Sequence, residues 1–142
     1  MTEITRSIEI SSAKDKVWSH IHPSKWTKIF NFVKEVNGYT NGEAGVGTKA
    51  RVVAGKDETT AVKYNVEITE FVPNVKIVYR RYNGPLKGKG EIHIKALQSG
   101  TLLKRTSYYD DNLSESTIKT LSEGMENDNL RIKTIIEALK DN

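Results

Sequence analysis

Apolar and polar residues alternate from the start of the chain. Ile4, Ile8 and Ile10 stand against Thr5, Ser7 and Glu9, the period of a strand with one buried face. Arg6 falls on the apolar side. The period then lengthens: Val17, Trp18 and Ile21 form a helical stripe, and Ser12, three residues ahead of Asp15, offers a capping box for it. His22-Pro23 ends this helix, because the residue before proline is pushed out of the helical region. Pro23 also suits the first position of a second short helix, expected from Ser24 to about Phe32 with Trp26, Ile29 and Phe30 inward.

From Val33 to Asp110 the pattern is one of strands and turns. Asn37-Gly38, Asn41-Gly42 and Asn83-Gly84 are turn dipeptides. Between them lie strand candidates at Val33–Tyr39, Thr48–Ala54, Thr60–Phe71, Val75–Tyr82, Gly88–Leu97 and Thr101–Asp110. Alternation is cleanest where Val62, Tyr64, Val66 and Ile68 oppose Lys63, Asn65, Glu67 and Thr69, as expected of an antiparallel sheet with one wet face. The short connections predict that sequence neighbours pair as hairpins.

The last element is a long helix. Asn112, three residues before Glu115, offers a cap. A proline-free run from Glu115 to Lys140 would make a helix about 39 Å long. Ile118, Leu121, Met125, Ile132, Ile135, Ile136 and Leu139 share one face. The stripe fails at Asp128 and Asn129, close to Gly124. Either a polar-lined cavity lies beneath this turn, or the turn lifts off the sheet into solvent. The predicted fold is α+β: a curved seven-stranded antiparallel sheet around a long C-terminal helix, with two short helices after the first strand.

Composition narrows the function classes. The absence of cysteine excludes disulfides and thiolate metal sites. The N-terminal residues lack an apolar leader core, and no apolar run approaches the length of a bilayer span. The expectation is a cytoplasmic protein with no membrane insertion. The net charge of +4 invites a polyanion, but basic residues interleave with acidic ones and form no block. No specific nucleic-acid partner is expected. Oligomeric state cannot be read from these features.

Several segments resemble those of START-like polyketide cyclase/dehydrase proteins, the SRPBCC superfamily. Ile8-Glu9-Ile10-Ser11-Ser12-Ala13-Lys14-Asp15-Lys16-Val17-Trp18 is similar to their opening strand and helix. Gly45-Val46-Gly47-Thr48 resembles their glycine turn, and Ile68-Thr69-Glu70-Phe71-Val72-Pro73 a characteristic strand end. Ser99-Gly100-Thr101 is similar to the turn before their last strand, and Asn129-Leu130-Arg131-Ile132-Lys133 to the end of their closing helix. The resemblance covers nearly the whole chain and implies one START-like domain over 1–142 with the helix-grip fold. It also implies a cavity between sheet and helix. It assigns no catalytic residue and no cofactor, because the superfamily hosts binders, cyclases and a chaperone activator.

Motif chemistry is sparse. In Gly42-Glu43-Ala44-Gly45-Val46-Gly47-Thr48-Lys49 threonine precedes lysine and a strand follows, so it is no phosphate loop. Gly84 to Gly90 lacks the strand-to-helix setting of a dinucleotide site. His20 and His22 are two apart, the wrong spacing for a helical metal pair. His93 alternates away from the apolar face, and no metal site is expected.

Polar groups on inward faces are more informative. Alternation from Ile77 through Tyr79 carries Arg81 inward. Asp128 is one partner for it and a ligand anion another; the alternative is a strand end already in water. Lys104 and Arg105 make both alternations of the last strand awkward, so Tyr108 and Tyr109 both stand as rim residues. The candidate cavity set is Trp26, Phe30, Tyr64, Tyr79, Arg81, Tyr108, Leu121, Met125 and Asp128. The favoured function is binding of a hydrophobic or amphipathic small molecule such as a lipid, polyketide or isoprenoid. A cyclase- or dehydratase-type enzyme and a chaperone-activator-like interaction protein are the alternatives.

Overall fold

The computed structural model describes residues 1–38, 43–54 and 61–139. Strand β1 (Thr2–Ile10) leads into α1 (Lys14–Ile21), a 3-10 turn (Pro23–Lys25) and α2 (Trp26–Ile29). Six strands follow: β2 (Val33–Asn37), β3 (Lys49–Ala54), β4 (Val62–Val72), β5 (Lys76–Tyr82), β6 (Gly88–Leu97) and β7 (Gly100–Tyr109). Helix α3 (Glu115–Ala138) closes the chain. The seven strands form one sheet in the order β1-β7-β6-β5-β4-β3-β2, antiparallel throughout. Sequence neighbours pair from β2 to β7, and β1 returns to the β7 edge. This is the expected helix-grip architecture.

The turns explain the register. Asn83 has φ +56° and Gly38 φ +75°, left-handed conformations that asparagine and glycine tolerate best. Asn74 does the same after β4, with φ +63°. The dipeptide Asn41-Gly42 and Thr60, the expected start of a strand, lie outside the described residues.

Several boundaries move for physical reasons. No side chain caps α1: Ala13 occupies the cap position, and the Ser12 carbonyl instead accepts from the Thr101 hydroxyl at 2.8 Å. The expected second helix shrinks to the 3-10 turn and four residues, because Phe30 is already extended, with ψ 114°. The cap of α3 is Ser114, whose Oγ accepts from the Thr117 N–H at 3.2 Å. Asn112 lies two residues too early. Helix α3 ends at Ala138, and Leu139 is 41% exposed, off the buried face.

The main core lies between α1, α2, the C-terminal half of α3 and the sheet. Ile10, Val17, Ile21, Ile77, Leu103 and Ile132 are each at most 1% exposed. A smaller cluster joins Ile4, Tyr109 and Met125 beneath the N-terminal half of α3. Arg6 does face α3, but at the sheet edge, where it pairs with Glu126 at 3.0 Å. The middle turn of α3 stays on the sheet: Asn129 is 2% exposed. Among the described residues its Oδ1 is the one buried side-chain oxygen without a partner, a rarity in folded proteins. Among the described residues no helix is long and apolar enough to cross a membrane.

Candidate functional site

Between the sheet and α3 lies a cavity of about 570 Å³, beside a smaller apolar recess of about 80 Å³. Tyr64, Tyr79, Arg105, Asp128 and Phe32 line both. Trp26 and Phe30 wall the recess, whereas Arg81, Leu121 and Met125 wall the larger space.

The floor is built by β6. Its inward positions run Gly88, Gly90, Ile92, Ile94, and the register sets Tyr79 opposite Gly90 and Arg81 opposite Gly88. With no side chain beneath it, the Tyr79 ring lies flat across Gly90. A Cβ there would fall 2.6 Å from the ring's Cε2. Gly88 makes similar room for Arg81, whose Nη2 would lie 2.9 Å from a Cβ. From the other side Trp26 meets Tyr79 edge-on at 6.0 Å. Its indole N–H donates to the Ile21 carbonyl at 2.9 Å, which fixes the wall of the recess.

Arg105 lies at the junction of the two spaces. It projects from β7 with its side chain 10% exposed and reaches Asp128 of α3, Nη1 to Oδ2, at 3.3 Å. Its guanidinium also stands 4.9 Å from the centre of the Phe30 ring. Burial works against its charge, but the Tyr79 hydroxyl and the Asp128 carboxylate outweigh that and hold its pKa above the ordinary value. Burial raises the Asp128 carboxyl above its usual range, against the pull of Arg105.

Arg81 has different partners from those expected. Its Nε donates to the Leu86 carbonyl at 3.0 Å and its Nη2 to the Tyr108 carbonyl. Its guanidinium stacks over Tyr109 at 4.2 Å. Asp128 belongs to Arg105, so the Arg81–Asp128 pairing is corrected. The alternative of an Arg81 in water also fails, since the residue is 6% exposed.

Tyr108 needs correcting too. The β6–β7 register sets Tyr109 opposite Gly88 and Leu103 opposite Ile94, so Leu103, Arg105, Ser107 and Tyr109 face inward. Tyr108 points from the opposite face, where Lys89 stands 4.9 Å from its ring centre. Every other residue of the expected cavity set lines one or both of the two spaces.

Sequence reasoning missed Arg105 and Ser107 as cavity residues, and left Tyr109 level with Tyr108 at the rim. The signal was the glycine pair in β6. Two inward glycines mark where large neighbouring side chains must lie, and extending the register from them to β7 selects the Arg105–Tyr109 face.

The polar groups of the cavity are mostly donors. Burial pushes the Tyr64 phenol well above its ordinary value, reinforced by Tyr79 and Tyr109 and opposed by Arg81 and Arg105. Tyr109 is raised as well, chiefly by burial. Both phenols therefore keep their protons at neutral pH and can donate to a carbonyl or carboxylate. The histidines stand elsewhere: His22 accepts from the Ser24 N–H, His20 contacts the Lys16 carbonyl within α1, and His93 pairs with Glu91 at 3.2 Å on the outer face.

No family model matches the sequence, and no curated protein does. Solved structures are similar to it. The Aha1 dimer from Colwellia psychrerythraea aligns at TM-score 0.73 and 14% identity, over 99% of each chain. Ara h 8.0201 aligns at TM-score 0.72 and 13% identity, over 96% of this chain and 98% of that one. DynU16, of the dynemicin biosynthetic locus, aligns at TM-score 0.72 and 16% identity. The match spans 95% of this chain and 47% of DynU16. At such identities the likeness is one of fold alone, and the fold is the helix-grip fold.

Proposed function

We propose that this helix-grip protein binds a hydrophobic or amphipathic small molecule between its sheet and α3. The observation that carries the reading is the cavity of about 570 Å³. Its size lies in the ordinary range of ligand sites. Aromatic and aliphatic side chains wall it, and a few fixed polar groups, with Arg105 and Asp128 at their centre, give the contents an orientation. Candidate contacts are Trp26 and Phe30 for the apolar end, Tyr64 and Tyr79 at the junction, and Arg81, Leu121 and Met125 around the larger space.

A catalytic use of the cavity finds less support. General acid–base work needs a base in reach of the substrate, and no histidine lines the space. Among the described residues the one carboxylate on its wall, Asp128, is paired with Arg105.

The test uses Gly124, which lines the cavity from α3 and has nothing within 4 Å of where a Cβ would stand. Gly124→Leu fills the space from a helix that tolerates leucine. Native mass spectrometry of the wild-type protein should show a co-purified small molecule or uptake of anilinonaphthalene sulfonate, and Gly124→Leu should show neither. Undiminished uptake by a folded Gly124→Leu variant would put the ligand elsewhere.

A further inference from the structure

The charges on the cavity wall say more about its contents than its volume does. Among the described residues two cations, Arg81 and Arg105, face one carboxylate, Asp128. Asp128 lies against Arg105 at 3.3 Å. Arg81 is held by the carbonyls of Leu86 and Tyr108, which are neutral acceptors. No carboxylate among the described residues stands within ion-pair reach of it. A guanidinium has five N–H donors, and the two contacts of Arg81 use its Nε and one Nη2 proton. A buried cation without a counter-charge is costly unless something supplies one.

The neighbouring groups point the same way. Tyr64 and Tyr109 keep their protons, and with Ser107 they add donors to the wall of the larger space. A molecule that satisfies this wall brings acceptors and one negative charge. A cation would meet Arg81 head-on. A doubly charged phosphate ester would exceed the single unbalanced charge. The aromatic recess behind Tyr79 takes an apolar tail, and among the described residues it offers no charged group beyond the Arg105–Asp128 pair.

Resting on the binding reading above, we propose that the cavity selects an amphipathic organic monoanion. Its carboxylate lies at Arg81, and its apolar tail runs past Tyr79 toward Trp26 and Phe30.

Calorimetric titration of the full chain with decanoate, decan-1-ol, decylammonium and decyl phosphate tests this, since the four share one tail. Decanoate should bind at least about tenfold more tightly than decanol, the worth of one charge-assisted hydrogen bond. Decylammonium and decyl phosphate should be weaker than decanoate. Arg81→Gln should erase the preference for decanoate over decanol, and Arg81→Lys should retain it.

Arg81 also ties the β5–β6 connection to β7, so a second variant leaves it in place. Thr120→Glu adds a carboxylate to the wall from an exposed position on α3. It should weaken decanoate at least about tenfold and leave decanol unchanged. Decanol or decyl phosphate binding as tightly as decanoate would overturn the carboxylate assignment, as would indifference of decanoate to Thr120→Glu. If Gly124→Leu still abolished that binding, the binding reading would stand. Binding of none of the four, or binding that Gly124→Leu does not touch, would remove both.

Discussion

Beneath Ile132 and Ile136 the inward row of the sheet is Ile77 on β5, Ile92 and Ile94 on β6 and Leu103 on β7. Further along the same strands it becomes Tyr79 and Arg81, then Gly90 and Gly88, then Arg105, Ser107 and Tyr109. Both halves lie under one continuous helix and share one register. The aliphatic half is filled. In the other half β6 gives up its side chains, its neighbours lean over the gap, and the space between them and α3 is left as a cavity. One sheet therefore does two jobs: one end secures the helix and the other holds it away. A closed core tolerates no unpaired polar group, so the change from isoleucine to arginine and tyrosine marks the border between them.

The sharpest way to break this comparison is at the border itself. Arg105→Met removes one partner of a largely buried ion pair and should cost about 3–5 kcal/mol in urea denaturation. Arg105→Met combined with Asp128→Leu should recover most of that. A single variant as stable as wild type would show that water screens the pair.

Next come the two ends of the helix. Ile136→Ala, in the filled half, should cost about 2–5 kcal/mol. Leu121→Ala, beside space that already exists, should cost no more than about 1–2 kcal/mol. Equal losses would mean that the two halves are packed alike. A smaller effect of opposite sign is expected for Gly124→Leu, which should stabilise the protein by about 1 kcal/mol through helix propensity while it fills the cavity. Destabilisation would show that the position is more crowded than it looks.

The smallest expected effect appears in alkali. Unfolded Tyr64 ionises near its ordinary value of 10.0, whereas the folded residue keeps its proton above that. The folded state then binds more protons, so stability falls as pH rises above 10. This contribution is whole below the ordinary phenol value and is lost as pH climbs through the raised one. Tyr64→Phe should flatten the alkaline limb of the stability profile from about pH 10 upward. An unchanged limb would place the Tyr64 hydroxyl in water.

Most of the fold was legible from period and punctuation. The strands β3 to β7 fall within a residue or two of their expected bounds, because alternation and turn residues act locally. What the sequence concealed was pairing across elements. Arg81 and Asp128 are both inward, as the alternation and the break in the helical stripe implied, yet they bond to different groups. Their partners depend on how far apart β5 and β7 stand beneath α3, a distance no local pattern encodes. Tyr108 and Tyr109 show the same limit. Charged residues at Lys104 and Arg105 spoil both alternations, and only the register with β6 decides which tyrosine turns inward. Capping failed similarly: Ser12, Asn112 and Ser114 are all chemically able, and tertiary contacts decided which of them caps.

Tyr79 rests on Gly90, and Gly90 lies beneath that ring, one layer back from the space it shapes. A methyl group added there would push the ring up into the cavity and change its outline, although no residue facing the contents had been replaced. Gly88 beneath Arg81 is different: its φ of +142° and the Tyr108 carbonyl beside it hold that position to glycine. The dimensions of the interior are thus written partly in a strand that stays behind the wall. A lineage carrying this scaffold could retune what it accommodates by exchanging Gly90 for alanine, leaving every side chain that meets the guest as it was.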